Sequence, residues 1–160
     1  MKQETESRTT VLNADQRAQA AAELQAQLLE LIDLTLQGKQ VHWNLVGPSF
    51  RPLHLQFDEM VNEYRAWTDL VAERMVAIGV WPKGQAGVVA KESRLPALPE
   101  GAIDDRRAVA LFTERLTAAA AAARERMDRL EGVDLASQDI LIDVVRGLEK
   151  QLWMLEVQRT

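Results

Sequence analysis

Between Asn13 and Val157 the apolar residues recur at steps of three and four in four long stretches, separated by glycine and proline. That period is the helical one, and no segment alternates apolar with polar residues as a half-buried strand would. The chain reads as all-α. The first stretch opens at Asn13 with Gln16 three residues on, the pattern of a capping box, and carries Leu24, Leu28, Leu31 and Ile32. It spans about residues 14 to 45 before Gly47 and Pro48 stop it. The second starts near Ser49, accommodates Pro52 in its first turn and runs through Leu53, Phe57, Met60, Tyr64, Val71 and Met75 to Gly79. The third, roughly Asp104 to Glu131, shows Phe112, Leu116, Ala119, Ala123, Met127 and Leu130. The fourth, about Asp134 to Val157, repeats the pattern with Leu141, Val144, Leu148, Leu152 and Leu155.

All five prolines lie between 48 and 99, and the segment from Trp81 to Gly101 holds three of them together with three glycines. It reads as a connector with one short helix around Ala86 to Lys91, long enough to cross a bundle. Two short loops and one long crossover among four helices is the connectivity of ferritin-like bundles; a simple up-down bundle needs short loops alone. At 160 residues the chain has material for one domain, expected over 13–160, with residues 1–12 as a flexible tail. The longest unbroken apolar run is the alanine tract Ala118 to Ala123, far short of a bilayer span. The N-terminus, MKQETESRTTVL, has neither an apolar core nor a small-residue cleavage site, so the expected location is the cytoplasm. The chain has no cysteine, which excludes disulfides, thiolate nucleophiles and cysteine-ligated metals and leaves His, Asp and Glu as metal ligands.

The chain has two histidines, and both fall among carboxylates: His42, His54, Asp58, Asp69 and Glu73. The last four lie on the second helix, at about 0°, 40°, 60° and 100° around its axis, so they project from one face. Yet the His54/Asp58 pair and the Asp69/Glu73 pair are centred about 22 Å apart along that axis, too far to share one metal within a chain. Two copies of the helix packed antiparallel about a two-fold axis near Glu63 and Tyr64 bring His54 and Asp58 of one chain opposite Asp69 and Glu73 of the other. His42 then arrives from the first helix. Each residue also has a bland reading. A carboxylate on a helix is commonly a solvated face, the His54/Asp58 pair a surface hydrogen bond, and His42 beside Trp43 a packed histidine with a satisfied ring.

The stretch LIDLTLQGKQVHWNLVGPSF, followed by HLQFDEMVNEY, DLVAERMVAIG and the late LEKQLWMLE, resembles the Dps family of miniferritins, the DNA-binding proteins from starved cells. The resemblance runs from about Ala20 to Gln158 and rests on KQxHWN with HxxxD and DxxxE at these separations. It implies a ferritin-like four-helix bundle assembled as a hollow dodecameric shell, with ferroxidase centres at the dimer two-folds. His42 of one subunit with Asp69 and Glu73 of its partner resembles the tighter iron site, and His54 with Asp58 the weaker one. The implied activity is oxidation of Fe(II), preferentially by hydrogen peroxide, and storage of Fe(III) mineral, a defence against oxidative stress in starvation.

Lys39, three residues before His42, is either a partner for a ligand carboxylate or a surface lysine. Trp43 resembles the family's tryptophan near the centre, placed to intercept a stray oxidising equivalent, or it simply packs in the core. Trp67, Trp81 and Trp153 are assigned to packing and interfaces. Glu131, Asp134 and Asp139 flank the third loop and either line an acidic three-fold channel for iron or, for Asp134, cap a helix. The intramolecular Glu-x-x-His site of conventional ferritins is absent, since Lys39 and Arg51 stand three residues before the histidines. A DNA-compacting nucleoid protein with vestigial iron chemistry is the alternative. It is disfavoured by the net charge of −5 and by a tail in which Lys2 and Arg8 offset Glu4 and Glu6.

Overall fold

The computed structural model of the chain describes residues 11–159, so the expected tail, apart from Val11 and Leu12, lies outside the described residues. Helix α1 (Ala14–Asn44) begins with the anticipated capping box: Gln16 N donates to Asn13 Oδ1 at 2.9 Å, and Asn13 N donates to Gln16 Oε1 at 3.3 Å. It ends where Leu45 turns extended into β1 (Leu45–Val46), which pairs in parallel with β2 (Ile103–Asp104). This clasp was not anticipated from sequence, because two residues are too few to display alternation.

Between β1 and α2 (Phe50–Ala77) the chain turns at Gly47 with φ 122°, a left-handed setting that favours glycine. A Cβ there would stand 2.8 Å from the Asp105 carboxyl carbon, and Asp105 itself accepts the Ser49 N–H at 2.8 Å. That hydrogen bond, outweighing burial, holds the Asp105 carboxyl below its usual range. Helix α2 closes at Gly79, whose φ of 81° supplies the left-handed cap.

The crossover contains α3 (Ala86–Glu92), within a residue of expectation. It is tied down by groups the sequence reading did not single out. Gln25 exchanges two hydrogen bonds with the backbone of Lys83. Arg115, 1% exposed, donates to Gln37 Oε1 at 2.6 Å and to the carbonyls of Pro96 and Ala97 at 2.9 and 3.0 Å. Burying an arginine is costly unless its donors are met, and here Gln37, the Leu111 carbonyl and two carbonyls of the connector meet them.

Helices α4 (Asp105–Arg129) and α5 (Leu135–Glu156) are capped by Asp104 and Asp134, which accept from Arg107 N and Ser137 N. The four long helices share one core, in which Phe57 meets Phe112 edge-on at 4.8 Å. Gly38 and the alanines Ala119 and Ala123 allow close helix approach; a Cβ on Gly38 would stand 2.7 Å from Val61 Cγ2. Inside that core, Arg126 pairs with Glu30 at 2.9 Å and also donates to Gln27, joining α4 to α1. Among the described residues, no helix is long and apolar enough to cross a membrane.

Candidate metal centre

His42 comes from the last turn of α1 and His54 from the second turn of α2, where the short β1 turn folds one helix back on the other. The two imidazoles stack with centroids 3.6 Å apart and planes inclined by 19°. Each Nδ1 lies on the other residue's backbone carbonyl: His42 on His54 O at 2.8 Å and His54 on His42 O at 2.9 Å. A carbonyl can only accept, so both Nδ1 atoms carry the proton, and in the neutral rings both Nε2 atoms keep a free lone pair. Phe50, one turn before His54, adds a third ring at 4.9 Å. Its spacing of four residues was the signal that the sequence reading passed over.

Asp58 lies one turn beyond His54 and binds Lys39 Nζ at 2.6 Å, which resolves Lys39 as a carboxylate partner. That hydrogen bond, with the Lys39 charge and the two histidines, holds the Asp58 carboxyl below its usual range against the opposing effect of burial. Lys39 also sits 5.9 Å from the Trp43 ring centroid, and Trp43 is 66% exposed, so the core-packing reading of Trp43 does not hold.

Asp69 and Glu73 are exposed farther along α2. Asp69 lines a shallow groove of 230 Å³ between α1 and α2, together with Ile32, Leu36, Arg65 and Ala72. Within one chain, then, His42, His54 and Asp58 gather near the β1 turn while Asp69 and Glu73 stand apart. Among the described residues, no three His, Asp or Glu side chains converge tightly enough to hold a metal ion. Asp134 is 9% exposed and engaged by Arg74 Nη2 at 2.7 Å and by Ser137, which makes it a cap and a tie between α2 and α5.

Over residues 21–160 the sequence matches the ferritin-like domain family. It is 35% identical over 141 residues to the DNA protection during starvation protein of Mycolicibacterium smegmatis, covering 88% of this chain and 77% of that one. The chain belongs to the Dps branch of the ferritin-like family. A second Dps relative, DNA protection during starvation protein 2 of Deinococcus radiodurans, is 33% identical over 132 residues; the match covers 82% of this chain but 55% of that protein. The solved Dps of Mycobacterium smegmatis superposes with a TM-score of 0.90 at 32% identity, covering 94% of this chain and 91% of that one. The Dps of Microbacterium arborescens in its high iron form gives 0.88 at 29% identity, covering 94% and 98%. The Dps fold thus accounts for nearly the whole bundle, crossover included.

Proposed function

We propose that this Dps protein is a ferroxidase and iron store: it takes up Fe(II), oxidises it at centres shared between two subunits, and deposits ferric mineral inside a hollow dodecamer. The observation that carries the reading is the reciprocal His42/His54 arrangement. Committing both Nδ1 protons to backbone carbonyls leaves two Nε2 donors fixed in direction, the way metal-ligating histidines are usually held. Imidazole suits Fe(II) and carboxylate suits both charge states of iron, so His42, His54, Asp58, Asp69 and Glu73 form a chemically apt ligand set.

In this reading His42 of one subunit joins Asp69 and Glu73 of the partner subunit around the first iron, and His54 with Asp58 takes the second. Lys39 competes with iron for Asp58 and makes that second position weaker. Two Fe(II) ions supply the two electrons that reduce one hydrogen peroxide to water, so no hydroxyl radical need be released. The relative solved in a high iron form supports iron as the substrate.

Relatives carry the name DNA protection during starvation protein. For an acidic chain of net charge −5, we assign that protection to removal of iron and peroxide in the cytoplasm, and not to coating the duplex. Light scattering combined with Fe(II) oxidation by peroxide and by dioxygen tests shell and chemistry together. A stable monomer, or oxidation no faster than in buffer, would refute the proposal.

A further inference from the structure

Two of the four tryptophans, Trp43 and Trp67, sit in opposite electrostatic settings. Trp43, beside the candidate centre, has the Lys39 ammonium 5.9 Å from its ring centroid. A cation near an indole face is attracted to its electron density and therefore opposes removal of an electron. Trp67 is 8% exposed, and its Nε1–H donates to Asp143 Oδ2 at 3.1 Å. A carboxylate on the N–H does the reverse: it favours positive charge on the ring and is ready to accept the proton that an oxidised indole sheds.

The setting of Trp67 is built into the helix pairing. A Cβ on Gly147 would stand 2.2 Å from Trp67 Cζ2 and Cη2, so the ring occupies a slot that α5 opens only because residue 147 is glycine. One turn earlier on α5, Asp143 receives the N–H; its other oxygen accepts from Arg146 Nη2 at 3.1 Å, and its side chain is 54% exposed. A proton arriving there is in contact with water. On the inner side, Tyr64 stands 6.1 Å from Trp67 between ring centroids, fully buried, with no hydrogen-bond partner for its Oη among the described residues. Burial and the neighbouring Glu63 charge push that phenol well above its usual range. A phenol without a base cannot release its proton as it loses an electron, so Tyr64 is a poor place for the oxidising equivalent to settle. On α2, Trp67 precedes Asp69 by two residues, about 3 Å of rise, and faces the other side of a helix about 10 Å across.

We propose that Trp67 and Asp143 form an internal one-electron donor, a redox site distinct from the iron ligands that draws oxidising equivalents out of the bundle. For its natural oxidant the inference rests on the iron reading above. When a single Fe(II) meets peroxide, one electron passes from iron to peroxide and gives Fe(III), hydroxide and a hydroxyl radical, which in turn takes a hydrogen atom from a side chain and leaves a side-chain radical. The Trp67 indole gives either radical one electron, reducing hydroxyl radical to hydroxide, and passes its N–H proton to Asp143 Oδ2. A neutral indolyl radical remains. One electron from a soluble thiol and the proton held by Asp143 restore the ring; where no thiol arrives, dioxygen adds to a ring carbon and the peroxyl radical takes one electron and one proton from a second Fe(II) and water, or a hydrogen atom from protonated superoxide, leaving a ring hydroperoxide.

The retained oxygen makes the step measurable. The assembled protein is oxidised in two arms, one with Fe(II) and peroxide, the other iron-free with azide radicals generated by pulse radiolysis. Peptide-mapping mass spectrometry then counts oxygen added at each tryptophan. The expected result is several-fold more oxygen on Trp67 than on Trp43 in both arms, against the order of their exposure. Asp143→Asn, on an exposed side chain, should lower oxidation at Trp67 several-fold with helicity unchanged by circular dichroism. Trp67→Phe should shift the oxygen to the exposed indoles. Oxidation that follows exposure in the iron-free arm, or oxidation of Trp67 that ignores Asp143→Asn, overturns the proposal. Asp143-dependent oxidation of Trp67 in the iron-free arm alone supports the donor and counts against iron as its source of oxidant.

Discussion

His42 and His54 fix each other's tautomer: each Nδ1–H donates to the other's backbone carbonyl while the rings stack at 3.6 Å. The backbone bonds and the free Nε2 atoms are therefore separable by mutation. Asparagine at position 42 can keep a donor near Nδ1 but has nothing at Nε2. His42→Asn is expected to retain thermal stability close to the parent and to lose at least about tenfold in peroxide-driven Fe(II) oxidation. His42→Ala should lose the activity and also about 1 kcal/mol of stability with the missing hydrogen bond. Equal activity in the asparagine variant and the parent would remove His42 from the ligand set.

In the proposed centre, the 2.6 Å contact between Lys39 and Asp58 sets a competition at the second iron position. Lys39→Met keeps the aliphatic stem and removes the charge, freeing Asp58 for metal. Anaerobic calorimetry with Fe(II) should then show tighter binding of the second ion per centre. Weaker binding would mean that Lys39 orients Asp58 instead of competing for it.

Burial raises the Asp134 carboxyl, but the bonds from Ser137 and Arg74 outweigh it and leave the group below its usual range. A carboxylate depressed in the folded state adds stability above its unfolded value of about 4, and loses it as pH falls through the lower folded value. Asp134→Asn keeps a capping oxygen but removes the charge facing Arg74, and should therefore destabilise the fold by about 1–2 kcal/mol at neutral pH, in the range of a weakened hydrogen bond to a charged group. The gap between variant and parent should close in strong acid. Urea melts across that range check the sign, and a gap that widens in acid contradicts it.

The helix borders were legible because capping residues and glycines mark them: Asn13, Asp104, Asp134 and Gly79 all stand where the helices start or stop. The face shared by His54, Asp58, Asp69 and Glu73 was legible because helical rise and rotation follow from numbering alone. The reciprocal His42/His54 lock was not, since it depends on how a five-residue turn brings two helix ends together. Arg115 and Arg126 were also missed. Both stand at helical spacing where an arginine is ordinarily solvated, and nothing in the sequence says that Gln37, Glu30 and the Pro96 carbonyl will meet them.

The central claim is that Asp58 and Glu73, on one helix and too far apart to meet, act in the same centre only through a second chain. Complementation tests this most directly. Asp58→Ala and Glu73→Ala homo-oligomers each lack one ligand in every centre. In a mixed dimer one centre lacks both, while the other joins an intact Asp58 from one chain to an intact Glu73 from the partner chain. Random reassembly makes about half the dimers mixed and so restores about a quarter of the parental centres. Co-refolded variants, with subunit mixing verified by native mass spectrometry, should regain about that fraction of peroxide-driven oxidation. Activity that stays at the mean of the two variants would contradict a centre shared between subunits.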